Sequence, residues 1–348
     1  MKFNSLLKKE NLDAVLITTP ANVSYLTNFT GSNGQVLFFK NRKIFLTDSR
    51  YKEQAKYEIK KTFEIVIYKK FKESLKELIE NNIAKKIGFE SKHLTYNEYD
   101  ELNSFIDNIE LIPLKDIVEN IRIKKRKSEI TKIKKAVKIA ENSLKNIMDK
   151  IFGNNLTEKE FADLLEYEMK KNGAETNSFP TIVASGERSS VIHGTASNKR
   201  LDLSSAVLID FGAKYQGYCS DKTITLILGK NRNDIKKVFN IVKNAKNYAI
   251  DKIRPGITAK KLDKIARDYI EKKGFGKYFA HSLGHGVGLD IHEKPTISYL
   301  SEDIIEEDMV FTIEPGIYIE GEFGVRLEDM VYVKKDGAEL LTTLSENF

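Results

Sequence analysis

Cysteine is nearly missing from this chain: one residue, Cys219, in 348. An intramolecular disulfide is therefore excluded, and a reducing compartment is favoured. Proline is scarce, at six residues, and the balance of 41% hydrophobic and 31% charged residues is that of a globular protein. The length suits two domains of roughly 100–200 residues each. Long apolar runs are also lacking. Lys8, Lys9, Glu10 and Asp13 interrupt "MKFNSLLKKENLDAVLI", which disfavours a signal peptide. No stretch approaches the ~20 apolar residues of a membrane-spanning helix. The expectation is a soluble, cytoplasmic protein that binds no membrane.

Charge of one sign is concentrated in one place. The net charge is +7, and residues 123–152 hold ten Lys/Arg against three Asp/Glu. A basic helix can bind nucleic acid, but no base-reading motif accompanies this one. Ile130, Ile133, Val137, Ala140, Leu144 and Ile147 recur at helical spacing. The segment is read as an amphipathic helix with a solvated basic face, and no nucleic-acid partner is expected.

Residues 1–122 alternate strand and helix signals. "DAVLIT", "QVLFF", "KIFLTD", "FEIVIY" and "KIGFE" read as strands, and "FKESLKELIENN" and "TYNEYDELNSFIDN" as helices. A hairpin turning at Asn41–Arg42 makes the sheet mixed. No glycine-rich phosphate loop follows the first strand, which argues against a nucleotide site. His93, lying between elements, is read as structural.

The second region, 123–348, contains an internal repeat. "LTEKEFADLLEYEMKKNG" from Leu156 aligns without gaps on "ITAKKLDKIARDYIEKKG" from Ile257. Thr157 matches Thr258, Phe161 matches Leu262, Leu164 matches Ile265, Met169 matches Ile270 and Gly173 matches Gly274. Each copy has an N-capping threonine and a C-capping glycine, and Thr157 with Glu160 fits a capping box. Each follows a longer helix, 128–150 or 233–252, and precedes strands. Two such halves are expected to pack pseudo-symmetrically, with helices behind a curved sheet whose inner surface collects polar residues from both.

Acids interrupt the apolar strands of this region. Asp210 lies in "AVLIDFG", Asp221 in "YCSDKTITLIL", Glu314 in "FTIEPG" and Glu328 in "GVRLEDMVYV". Buried carboxylates clustered together protonate unless a cation neutralises them. Asp210 and Asp221 are equidistant from Tyr215–Gln216, and Glu314 and Glu328 from Gly321. Hairpins centred there would set each pair across adjacent strands, where facing Cβ atoms are about 4.5–5.5 Å apart.

Three of the five histidines fall in "HSLGHGVGLDIHE", at 281, 285 and 292. Glycines keep this stretch out of a helix, so imidazoles can reach a concave site. Four carboxylates and a histidine suit two divalent ions better than one zinc. Manganese, cobalt, zinc and iron all accept such ligands. Other chemistries lack their motifs. "HEKPT" has threonine at 296 where a zinc H-E-x-x-H helix needs histidine, no G-x-S-x-G elbow is present, and "GHGVG" lacks the Lys-Ser/Thr of a phosphate loop. Cys219 reads as a buried thiol.

"DFGAKYQGYCSD", "HSLGHGVGLDIHE", "TIEPGIY" and "GVRLED" resemble the motifs of the methionine aminopeptidase, prolidase and aminopeptidase P superfamily, over roughly 125–348. The first domain resembles the creatinase/prolidase N-terminal domain. The resemblance implies a two-domain α/β protein: a mixed-sheet creatinase/prolidase-type domain at 1–122 and a pseudo-symmetric α+β "pita-bread" catalytic domain at 123–348. It implies Asp210, Asp221, His285, Glu314 and Glu328 as ligands of a dinuclear centre. A full ligand set argues against a metal-free relative such as creatinase or a histone-chaperone domain. The first domain, His193 in "SGERSSVIHGTAS" and Arg326 in "GVRLED" favour a Xaa-Pro dipeptidase or aminopeptidase. His193, His281 and His292 are then implied to line the substrate pocket, with Glu314 as proton shuttle. Ile192 departs from the proline the family often has before the histidine matching His193. A homodimer acting on peptides with proline second is implied. The alternatives are a methionine aminopeptidase-like enzyme and a non-enzymatic binding module that kept the fold.

Overall fold

The apolar runs of the first 122 residues pair into one six-stranded sheet. Its order is Glu64–Tyr68, Lys43–Asp48, Gln35–Phe39, Ala14–Ile17, Lys86–Glu90 and Glu110–Leu114. Two antiparallel pairings and three parallel ones make it mixed. Alternate residues pack into two cores. Val15, Ile17, Val36, Phe38 and Phe45 face one side, and Ala14, Leu16, Leu37, Ile44 and Leu46 the other. Both faces are buried, so these strands are apolar throughout rather than alternating.

Two details correct the sequence reading. Phe38 pairs with Lys43, so the hairpin turns at Lys40–Asn41, one residue before the expected Asn41–Arg42. The sixth strand, Glu110–Leu114, was not expected. It carries Pro113 and buries only Leu114 fully, which an edge position tolerates and which weakens the usual strand signal.

This computed structural model describes residues 3–106, 108–153, 155–229 and 232–344, in two compact units, Met1–Arg122 and Ile123–Phe348. No helix among the described residues is long and apolar enough to cross a membrane.

The second unit is built from the duplicated module. Helices Lys127–Ile147 and Glu158–Lys171 form the first copy, Asn233–Ile250 and Ala259–Lys272 the second. Thr157 caps its helix by accepting from Glu160 N, and Glu160 returns a bond to Thr157 N at 2.8 Å. Thr258 accepts from Lys261 N at 3.2 Å but has no acid there to complete a box. Gly173 and Gly274 end the helices with φ of +100° and +84°, where any side chain would be strained. Each capping threonine also forms an isolated β-bridge, Thr157 with Arg200 and Thr258 with Ile304. Matched positions share their burial: Phe161 with Leu262 and Met169 with Ile270 are fully buried. The basic helix buries Ile130, Ile133, Val137, Ala140, Leu144 and Ile147, which leaves its lysines as the solvated face.

In front of the first helix pair lies an antiparallel sheet of Ile182–Ser185, Ala206–Phe211 and Lys222–Ile227, with Ala206–Phe211 central. The second pair backs a five-stranded sheet containing Gly284–Gly286, Val310–Ile313 and Asp329–Lys334. The halves join where Glu328 N donates to Thr223 O at 3.1 Å and Thr225 Oγ1 donates to Arg326 O at 2.8 Å.

Candidate metal centre

The two hairpins set the geometry, and one differs from expectation. Asp210 pairs with Thr223, not with Asp221. The turn falls at Gln216–Gly217, both with positive φ, rather than at Tyr215–Gln216. Moving a turn by one residue moves the partner by two, and a period of two leaves Asp221 on the face of Thr223. The second hairpin has the expected centre. Ile313 pairs with Asp329 and Gly316 with Arg326, a register that sets Glu314 opposite Glu328 about Gly321.

His285 enters from the Gly284–Gly286 strand, wedged between Glu293–Ile297 and Val310–Ile313. A Cβ on Gly284 would sit 2.0 Å from Thr312 O, and one on Gly286 2.1 Å from Lys294 O. Glycine there admits neighbouring backbones, a tighter requirement than the irregular conformation expected of the segment.

Ligand atoms of Asp221, His285 and Glu328 all lie within 4.8 Å of one another. His285 Nε2 is 3.6 Å from Asp221 Oδ2 and 3.3 Å from Glu314 Oε1. Asp210 Oδ2 accepts from Arg326 Nη2 at 2.7 Å, while its Oδ1 is buried without a partner. Glu328 Oε2 accepts from Thr223 Oγ1 at 2.8 Å, and its Oε1 is likewise orphaned. Buried acceptors without donors are costly. Two orphaned carboxylate oxygens beside an imidazole and two more acids fit a divalent cation.

The electrostatics agree. Burial, then the charges of Glu328, Asp210 and Glu314, push the Asp221 carboxyl well above the usual range. Burial, then Glu314 and Asp210, raises Glu328 to about 8. Burial raises Asp210 against the pull of Arg326. Burial also works upward on Glu314, but the His285 ring overrides it and holds Glu314 at about 2. Burial depresses His285, and bonding to Glu314 reverses this and lifts it to about 9. A cation would take the place of these retained protons.

The remaining expected residues surround this cluster. His292 is exposed as a residue, but its ring packs 4.3 Å from that of His285, and the ring's partial desolvation, His285 and then His193 lower its basicity. His193 is exposed on the loop after Gly186–Ser190. His281 Nε2 lies 2.9 Å from Tyr318 Oη, and burial lowers its basicity. Arg326 joins several of these groups. Besides Asp210, it donates to Tyr318 Oη at 2.9 Å, Ile192 O at 3.1 Å and Thr223 Oγ1 at 3.2 Å. Cys219 is buried against Leu289 O, and burial pushes its thiol up to about 11. His93 lies in the other unit, bonded to Thr18 Oγ1 at 3.1 Å.

Tyr318, Thr223 and Thr312 escaped the sequence reading. Thr312 Oγ1 donates to Glu314 Oε1 at 3.2 Å. A signal existed: counting by twos from Glu314 reaches Thr312 and Tyr318, and from Asp221 reaches Thr223. Strand alternation puts such residues on the ligand's face.

Asp221, His285 and Glu328 are therefore grouped closely enough to hold a metal ion, with Glu314 beside His285. The chain belongs to metallopeptidase family M24, whose model matches residues 131–335. Residues 1–124 match the creatinase/prolidase N-terminal domain. The Xaa-Pro dipeptidase of Pyrococcus horikoshii is 39% identical, covering 98% of this chain and 95% of that protein. A solved Xaa-Pro dipeptidase from Bacillus anthracis superposes with a TM-score of 0.95 at 39% identity, covering 98% of this chain and 96% of that one. X-Pro aminopeptidase from Thermotoga maritima superposes at 0.90 with 40% identity and 97% coverage of both.

Proposed function

We propose that this chain is a dinuclear-metal exopeptidase that hydrolyses the Xaa-Pro bond, in dipeptides or at the N-terminus of longer peptides. The observation that carries this reading is the convergence of Asp221, His285 and Glu328, joined by Glu314 and Asp210, with two orphaned carboxylate oxygens. Full-length similarity to Xaa-Pro dipeptidases and an X-Pro aminopeptidase supports the substrate class.

Asp210, Asp221, His285, Glu314 and Glu328 would hold the ions. Two divalent cations, when bound, lower the pKa of water and polarise a carbonyl. The chain's own groups do the rest. Glu314, poised between His285 and Thr312, takes a proton from the water that attacks the carbonyl carbon and delivers it to the proline nitrogen as the C–N bond breaks. Like any peptide nitrogen, it must gain a proton to leave as an amine. His292 donates to the oxygen on which negative charge develops. Arg326 anchors Asp210 and, through Tyr318, orients His281 toward the substrate's proline side. The substrate's free amine is drawn to the acidic centre, which accounts for cutting at the first residue.

The family resemblance supports a homodimer as the working form, and the free, buried Cys219 suits a reducing cytoplasm. The decisive assay compares Xaa-Pro, Xaa-Pro-Xaa and Met-Ala peptides, with manganese, cobalt, zinc or iron. Metal-dependent release of the residue before proline is expected. Faster cleavage of Met-Ala would select a methionine aminopeptidase. No bound metal and no turnover would select a binding module.

A further inference from the structure

Two irregular loops bring histidines to this centre, and each is tied down by a fully buried carboxylate paired with an arginine. In the first half, Glu158 opens its helix and is 0% exposed. Its Oε1 accepts from Ser185 N at 2.9 Å and Ser185 Oγ at 3.1 Å. Its Oε2 accepts from Arg188 Nε at 2.9 Å, Ser197 N at 3.2 Å and Ser197 Oγ at 2.7 Å. One carboxylate thus clips both ends of the 185–197 loop. Arg188 extends the grip by donating to Thr195 O at 2.7 Å. His193 lies between that carbonyl and Ile192 O, which Arg326 holds at 3.1 Å.

The second half repeats the device with different residues. Asp263 is 0% exposed and takes Arg267 in a fork, at 2.8 Å to Nε and 3.0 Å to Nη2. Arg267 donates onward to Phe279 O at 2.9 Å and His281 O at 2.8 Å, and Asp263 also accepts from Leu283 N at 3.2 Å. The pair thus holds the backbone before His281 at Phe279 O, at His281's own carbonyl, and after it at Leu283 N.

The pairs do not occupy matching positions of the repeat. The offset of 101 sets Glu158 on Ala259, and Asp263 on Ala162. Each acid is therefore particular to its own loop and not a shared remnant of the duplicated module. Stability alone is a poor reason for either, since well-packed apolar residues often replace buried ion pairs at no cost. What a carboxylate with several donors supplies is a single loop geometry.

We propose that Glu158–Arg188 and Asp263–Arg267 are two latches, positioning residues that set His193 and His281 at the substrate side of the centre. The inference rests on the function proposed above. A misplacement of about 1 Å in a site can cost on the order of a hundredfold in rate.

The test uses the full-length, metal-loaded chain with its five histidines labelled with 15N. Asp263→Asn should move the ring signals of His281 and leave those of His193, and Glu158→Gln should do the reverse. Both should keep wild-type metal content and lower kcat/KM for a Xaa-Pro dipeptide by about tenfold. In a His281→Ala background, Asp263→Asn should cost less than about twofold more, because the latch acts through that ring. Ring spectra that superpose on wild type, or effects that simply multiply, would overturn the proposal. Should the carboxamide variants not fold, Arg188→Lys and Arg267→Lys keep the charge but cannot hold the carboxylate and the loop carbonyls together, and the same readouts apply. A wild type that cleaves no Xaa-Pro peptide refutes the functional reading, and the ring spectra alone then decide on the latches.

Discussion

Lys222 and Lys246 direct two buried ammonium groups at one buried carboxylate, Asp329, next in sequence to Glu328. Lys222 Nζ donates to Asp329 Oδ1 at 2.6 Å and to Glu328 O at 2.7 Å; Lys246 reaches Asp329 Oδ2. Burial works against the Asp329 charge, but the two lysines hold its carboxyl below the usual range. Asp329→Ala should therefore destabilise the chain by about 3–5 kcal/mol in urea unfolding, since it strands buried positive charge. At the centre itself, Glu314→Gln should abolish Xaa-Pro turnover; a wild-type rate would refute its role. His292→Ala should lower kcat with little change in KM, and a rise in KM alone would make it a binding residue.

The sign of the pH dependence follows from the same residues. Without metal, Glu328 titrates near 8 in the folded chain against an ordinary 4.5, and His285 near 9 against 6.5. Both bind protons more tightly when folded, so their stabilisation is complete below the ordinary values and is lost as pH rises through the folded ones. Glu314, held near 2, contributes uniformly above its ordinary 4.5. The melting temperature of metal-free protein should therefore fall from about pH 5 to about pH 9, and saturating manganese should remove most of the slope. A metal-free protein whose melting temperature rises over that range would contradict this.

Among the elements, the two capping threonines allow a controlled comparison. Thr157→Ala and Thr258→Ala should each cost about 1 kcal/mol. The larger loss is expected at Thr157, because only its cap is returned by an N3 glutamate. Much of this architecture was legible in the sequence. The repeat was visible because Thr157 and Thr258 start helices whose buried positions coincide, and Gly173 and Gly274 end them. Five strands of the first sheet were visible because both of its faces are buried, which makes each strand an apolar run. The sixth was lost to Pro113, and the Asp210 turn was misplaced because Gln216, a non-glycine, takes a positive φ of 46°. The acids stood out against apolar strands. Tyr318 did not, because a tyrosine in "GIYIE" looks like ordinary core until the register shows which face it shares.

At the scale of the whole catalytic unit, the duplication accounts for the site. Each half folds a helix pair onto its own sheet and has its own apolar core, with Phe161 and Leu262 in matching places. Truncating either to alanine should cost about 2–5 kcal/mol. Asp210 and Asp221 come from the first half, and His285, Glu314 and Glu328 from the second, so no half holds a complete set. The central claim is that these five side chains gather around two divalent ions. Anomalous diffraction from crystals grown with manganese tests it most directly. Two peaks, each contacted by oxygens of Asp210, Asp221, Glu314 or Glu328 and one of them by His285, are the predicted result. Carboxylates turned away from one another, with no peak between them, would contradict it.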